Sequence, residues 1–346
     1  MAAMRTLLII VTAATAILGL SGFAFWTWSS PSPDLSWVRV LYQYKLPAAE
    51  RVQGSKTLLV GGSSVHFGYD ARIIEQMTAR PTYNLGSHAS LGPMFHLHQA
   101  AKLAKSGDRI VLVIEYENST TDWKISNLLK DYVKWFDPSF EIGVMGYFST
   151  RLFGHAREIL IMAVGVETLA TVLEPFRPRP AIAPPAMAPT PEIASVPAVP
   201  VAPPPLATNP YDNALIDRWG DQPNKYIQAI PPATRAALQA SAPFALAPLR
   251  YQLFSDVGDF VQRSKTRGIE VIATWPVIMK HEAYKTEKYL AFFTEIRRAF
   301  EEAGIKVVGS PYDVMVPFDQ TLDTRYHLNE VGAEFTSRAL GQQLRR

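Results

Sequence analysis

Apolar residues fall along this chain in three patterns: one unbroken run near the amino terminus, short two-sided runs alternating with helical periodicity, and a middle section that keeps neither rhythm. Residues 7–28 carry no ionisable side chain. At 1.5 Å per helical residue such a run reaches about 33 Å, enough to cross a hydrocarbon core of about 30 Å. It ends in Phe23, Phe25, Trp26 and Trp28, residue types that settle at a membrane interface. Arg5 on the short side places the amino terminus in the cytoplasm and the rest outside, by the positive-inside rule. Residues 1–30 are therefore expected to be a single-pass transmembrane anchor. A signal peptide cleaved near Gly22-Phe23-Ala24 is the alternative. Residues 31–55, which follow Ser29-Ser30 and open on Pro31-Ser32-Pro33, read as a linker.

From residue 56 the pattern becomes regular. A β-rich run over 56–60 ends in Gly61-Gly62-Ser63-Ser64, and a helix is predicted over 71–79. A short strand at 81–85, a helix at 94–105 and a nearly continuous apolar strand at 109–115 follow. The alternation resumes with a helix to 267, a strand at 269–274, a helix at 287–303, a strand at 305–308 and a last helix at 330–344. Strands that are apolar on both faces belong in a parallel sheet covered by helices. The predicted fold class is α/β, a doubly wound, mostly parallel sheet within 56–346.

Residues 120–250 interrupt that rhythm and read as a long insertion. Within it, 175–210 holds about half of the chain's 27 prolines, interleaved with alanine and valine. Proline removes backbone donors and favours extended conformations, so this stretch is expected to be an irregular loop. Helices are expected before it, at 128–136 and 158–172; the latter is too short to span a bilayer and is read as core packing, with contact to the membrane or a membrane partner as the alternative.

Composition narrows the function classes. With 346 residues the chain can bury one substantial core, and a net charge of +3 with scattered basic residues excludes an electrostatic surface for nucleic acid. There is no cysteine, which excludes disulfides, thiolate metal sites and a cysteine nucleophile.

A hydroxyl nucleophile needs a sharp exposed turn, a base, a carboxylate to orient the base, and donors for the oxyanion. Ser63 stands at the carboxyl end of the first predicted strand, where open α/β sheets place their ligands, and Ser64 is its rival. His327 lies just before the last helix, with Asp323 four residues upstream in the same loop. Each signal alone is common, and the joint arrangement is what points to an Asp-His-Ser triad.

In these blocks the chain resembles the SGNH (GDSL-like) hydrolase superfamily, across residues 56–118 and 268–345. The usual Gly-Asp-Ser is here Gly61-Gly62-Ser63, and the usual Asp-x-x-His is Asp323-Thr324-Arg325-Tyr326-His327. The second block is similar to Tyr83-Asn84-Leu85-Gly86-Ser87 and the third to Tyr116-Glu117-Asn118-Ser119. The resemblance implies Gly86 and Asn118 as oxyanion donors. The phrases GGSSVHFG, NLGSHAS and YHLNEVGA look like the branch that modifies cell-surface polymers, the D-alanyl-transfer proteins and alginate-type O-acetyltransferases. That likeness implies an acyltransferase anchored in the bacterial inner membrane with its catalytic domain in the periplasm. It also implies an acyl donor, a glycan acceptor, a membrane-bound O-acyltransferase or polysaccharide-synthesis complex as partner, and no cofactor.

The same triad working with water would make an esterase or deacetylase, and a degenerate triad a non-catalytic scaffold. His66, His88, Glu117 and Trp275 are secondary candidates for substrate contact, Trp275 because it ends a strand facing the same cleft. His96 and His98 are two apart on a helix and share no face, so no metal site is expected. The sequon at Asn118 is discounted because that asparagine has a place at the mouth of the sheet.

Overall fold

The computed structural model describes residues 32–121, 125–140, 211–222 and 230–345, with positions 12 and 15. These belong to one compact unit, Met1–Phe140 with Ala207–Arg346. The second unit, Glu141–Leu206, the expected anchor apart from positions 12 and 15, the proline-rich loop at 175–210 and the helix predicted at 158–172 lie outside the described residues. Among the described residues no helix is long and apolar enough to cross a membrane.

Residues 31–55 are not an irregular linker: helix α1 occupies Leu35–Arg51. Leu35, Val38, Leu41, Tyr42, Lys45 and Ala49 form its buried stripe at helical spacing. Lys45 breaks the apolar pattern of that stripe and Pro47 sits inside the helix, and both concealed it in the sequence.

The chain then forms β1 (Thr57–Val60), the single-turn helix α2 (Ser63–His66), α3 (Ala71–Thr78), β2 (Thr82–Asn84), α4 (Pro93–Leu103) and β3 (Arg109–Val113). Helices α5 (Asn127–Phe136) and α6 (Pro232–Gln239) lie in the insertion. Next come α7 (Tyr251–Thr266), β4 (Glu270–Thr274), β5 (Ile278–Met279), α8 (Glu287–Glu302), β6 (Lys306–Val307), β7 (Met315–Val316) and α9 (Glu330–Leu344).

Five strands make one sheet in the order β2-β1-β3-β4-β6, with every pairing parallel, and β5 pairs with β7 apart from it. This is an α/β fold with the strand order of flavodoxin-like proteins. Thr57-Leu-Leu-Val60 is buried throughout, and Ile110 to Val113 likewise, because helices cover both faces. Helix α3 packs on α9, while α4 packs on α7 and α7 on α8. The order reverses between β1 and β3, and at such a switch point the loops leaving the two strands part and leave a crevice at their carboxyl ends.

Two caps set the ends of helices that matter below. The Asp70 side chain accepts the Ile73 N–H at the start of α3, and the Asn329 side chain accepts the Gly332 N–H at the start of α9. The second cap fixes where the loop carrying His327 must stop.

Candidate functional site

Ser63 and Ser64 leave β1 together and meet opposite fates. Ser64 is fully buried, with its hydroxyl donating to Glu115 Oε1 at 2.8 Å and its N–H to the same oxygen at 3.1 Å. Ser63 is half-buried, and its hydroxyl makes no hydrogen bond to any described residue. Of the rivals, only Ser63 is available to a substrate.

The glycines before them are required by close approach. A Cβ on Gly62 would stand 2.4 Å from Glu115 Oε1 and 2.5 Å from Ala89 Cα, and one on Gly61 would stand 2.6 Å from the Val113 carbonyl. The Glu115 carboxyl therefore fills the space that an aspartate before Ser63 would need. Burial pushes that carboxyl above the usual range, against the lowering effect of the Ser64 hydrogen bonds.

The other half of the site is the loop 318–328. It is closed by a bridge between Thr321 and Leu328 and by Leu322 N–H to the His327 carbonyl at 2.7 Å. Asp323 Oδ1 lies 2.8 Å from His327 Nδ1. The Tyr211 hydroxyl donates to Asp323 Oδ2 and stands 3.4 Å from His327 Nδ1. Burial alone would raise the Asp323 carboxyl, but the hydrogen bond and charge of His327, with the Tyr211 donor, hold it below the usual range. Arg235 of α6 pins the loop by donating to the carbonyls of Thr321 at 2.6 Å, Leu322 at 2.7 Å and Phe318 at 3.1 Å.

Phe67 joins the two halves. Its N–H donates to the Ser63 carbonyl at 2.9 Å, its carbonyl accepts the Leu328 N–H at 3.3 Å, and its ring lies 4.4 Å from the His327 ring. His327 is nearly buried, and its Nε2 has no hydrogen-bond partner among the described residues. An imidazole held at Nδ1 by a carboxylate and open at Nε2 is equipped to accept a proton from a hydroxyl. No direct hydrogen bond joins Ser63 to His327, so the proton path closes only with a small movement or with substrate bound.

The remaining sequence candidates are placed differently. Gly86 donates its N–H to Asn84 Oδ1 at 2.8 Å, and its carbonyl accepts Lys45 Nζ at 2.6 Å. The Asn118 amide donates to the Ala89 carbonyl at 3.0 Å and stands 3.4 Å from Glu115 Oε2. Neither donor points freely at Ser63. His66 is buried, with Lys45 Nζ donating to its Nδ1 at 2.9 Å and its Nε2 donating to Gln222 Oε1 at 2.9 Å. Burial, then the nearby Lys45 charge, keep this imidazole neutral far below the usual histidine range.

His88 is partly exposed, 3.5 Å from Asp34 and edge-on to Trp37 at 6.3 Å. Glu117 accepts the Tyr326 hydroxyl at 2.5 Å. Trp275 is a packing residue: it is buried, donates Nε1 to the Gly309 carbonyl at 3.1 Å and packs edge-on against Phe293. His96 is buried on the His88 carbonyl at 3.2 Å, while His98 reaches Asp137 at 3.4 Å. Among the described residues no group of three or more potential ligands gathers as a metal site.

Sequence reasoning missed Trp37, Lys45, Tyr211, Gln222 and Arg235. The polar residue within the α1 stripe was the one local signal for Lys45. Nothing local marks the other four, because their partners lie far away in the chain. No protein-family model, curated protein or solved structure matches this chain.

Proposed function

We propose that this chain is an SGNH-type serine acyltransferase acting outside the membrane on an envelope or exported polysaccharide. The observation that carries the reading is the Asp323–His327 pair, open at Nε2 and docked through Phe67 onto the Ser63 turn. The blocks around Gly61-Gly62-Ser63 and His327 supply the resemblance, and the apolar run at 7–28 supplies the anchor and the periplasmic side.

In this reading Ser63 Oγ attacks the donor ester carbonyl while His327 Nε2 takes its proton. The oxyanion is met by the Ser63 N–H, an orphan donor at the first position of α2. Gly86 and Asn118 join only if they exchange their present acceptors. The tetrahedral adduct collapses, the proton passes from His327 to the departing oxygen, and the acyl group stays on Ser63. An acceptor hydroxyl then repeats the sequence, losing its proton to His327 and leaving with the acyl group.

A non-catalytic scaffold is the second reading, favoured by one observation: both side donors are already engaged, Gly86 by Asn84 and Asn118 by Ala89. Incubating the full chain with p-nitrophenyl acetate separates the readings. An acetyl group on Ser63 that moves to added polysaccharide supports the transferase. One that moves only to water supports an esterase, and no acetylation at all supports the scaffold.

A further inference from the structure

We propose that Tyr211 is a positioning residue for the Asp323–His327 pair, holding the carboxylate by its second oxygen so that the first stays directed at His327. The proposal rests on reading His327 as the general base, and its readout does not depend on Ser63.

The carboxylate of Asp323 is divided between two partners: Oδ1 faces His327 Nδ1 at 2.8 Å, and Oδ2 accepts the Tyr211 hydroxyl. A carboxylate held at both oxygens cannot swing away from the ring. Tyr211 is itself fixed. Its carbonyl accepts Trp37 Nε1 at 2.8 Å, and Asn213 Nδ2 donates to the Trp37 carbonyl at 3.0 Å. Its ring stands edge-on to Phe67 at 5.4 Å and to Trp37 at 6.2 Å. Burial, reinforced by the hydrogen bond to Asp323, pushes the Tyr211 hydroxyl far above the usual phenol range. It therefore remains a protonated donor at neutral pH and well above it.

The arrangement joins three distant stretches, since α1 grips Tyr211, Tyr211 grips Asp323, and Arg235 grips the backbone just before Asp323. Other charged or titratable groups face the cluster from each side. The fields of His66 on α2 and His88 on the following loop reach His327, Arg235 on α6 and Asp319 lie on the Asp323 side, and Asp34 faces Tyr211. A change confined to the Tyr211 hydroxyl leaves all of these in place.

Tyr211→Phe keeps the ring and removes only that hydroxyl. In the full chain, reaction of each histidine with diethylpyrocarbonate is followed by peptide mass spectrometry across pH, with protection of buried His96 as the control for folding. Only neutral imidazole reacts, so the pH of half-maximal rate at His327 reports how strongly Asp323 stabilises the charged ring. Without the Tyr211 donor the Asp323 carboxylate is free to swing from the ring, and the midpoint is expected to fall. In an Asp323→Asn background the same change is expected to add nothing. An unchanged or raised midpoint, or an equal fall in both backgrounds, overturns the proposal. Fluorophosphonate labelling of Ser63, run in parallel, is expected to slow about tenfold in Tyr211→Phe. A wild-type chain that is never labelled at Ser63 but shows the Asp323-dependent shift defeats the serine reading and supports the positioning role. Labelled Ser63 with no shift does the reverse.

Discussion

Strands β1 and β3 lie side by side, and a polar pair joins them at each end. At the amino end, Lys56 Nζ meets Asp108 Oδ2 at 2.8 Å, while Asp108 also accepts the N–H groups of Lys56 and Lys105, each at 2.8 Å. At the carboxyl end, Glu115 meets its own backbone N–H, the Ser64 hydroxyl and N–H and the edge of the Asn118 amide, and among the described residues no cation pairs with it. Both carboxyls are buried, at 2% and 3% exposure, and their partners differ. Burial would raise Asp108, but the Lys56 hydrogen bonds hold it below the ordinary carboxylate value, whereas Glu115 is left above it. One end of the strand pair is neutralised and serves the fold. The other holds the Glu115 carboxyl against Gly62 and Ser64, on either side of Ser63, and Lys45, with no carboxylate in contact among the described residues and brought down to about 7 by desolvation, stands nearby under Gly86. Perturbed groups at the carboxyl end of a parallel sheet mark a candidate site, because that is where open α/β sheets place their ligands.

The largest expected effect lies at the carboxyl end. If His327 is the base of the proposed reaction, replacing it by alanine should lower the rate of fluorophosphonate labelling by about 10⁴-fold or more with the melting temperature little changed. Loss of labelling accompanied by unfolding would erase the contrast between the two ends. At the amino end, Asp108→Ala strands a buried lysine, and chemical denaturation should report a loss of about 3–5 kcal/mol. Ser63 labelling in the folded fraction should be unaffected.

Ser64→Ala sharpens the comparison within one turn. It deprives the Glu115 carboxyl of its best donor and should cost about 1–3 kcal/mol of stability, while the labelled residue remains Ser63. If the adduct disappears with Ser64, the two serines have been assigned the wrong way round.

The smallest effect is the pH dependence of stability, and its sign differs between the ends. Asp108 is depressed, so its contribution is present above the unfolded value of 3.8 and is lost as pH falls through the folded one. Glu115 is raised, so its contribution is present below the unfolded value of 4.5 and is lost as pH rises through the folded one. Melting temperatures of Glu115→Gln, measured from pH 4 upward, should lack that second decline.

Much of the scaffold could be read from periodicity. The last helix was expected at 330–344 and occupies Glu330–Leu344, and the strands at 56–60, 109–115 and 269–274 fall within a few residues of β1, β3 and β4. These are segments whose burial pattern is local. Helix α1 was missed because its stripe includes a lysine whose partners, Gly86 and His66, lie 41 and 21 residues away. The same reason hid Tyr211, 112 residues from Asp323. The proximity of Asp323 to His327 was legible because the two lie four residues apart in one loop that ends at the Asn329 cap. The engagement of Gly86 by Asn84 and of Asn118 by Ala89 was not, because side-chain amides choose acceptors only once the loops are packed.

The central claim, an activated Ser63, is tested most directly by treating the full chain with a fluorophosphonate probe and mapping the adduct by peptide mass spectrometry. The account predicts one adduct, on Ser63, that is lost in both Ser63→Ala and His327→Ala and retained in Ser64→Ala. A folded chain that takes up no probe, or takes it up on Ser64 or independently of His327, would contradict it.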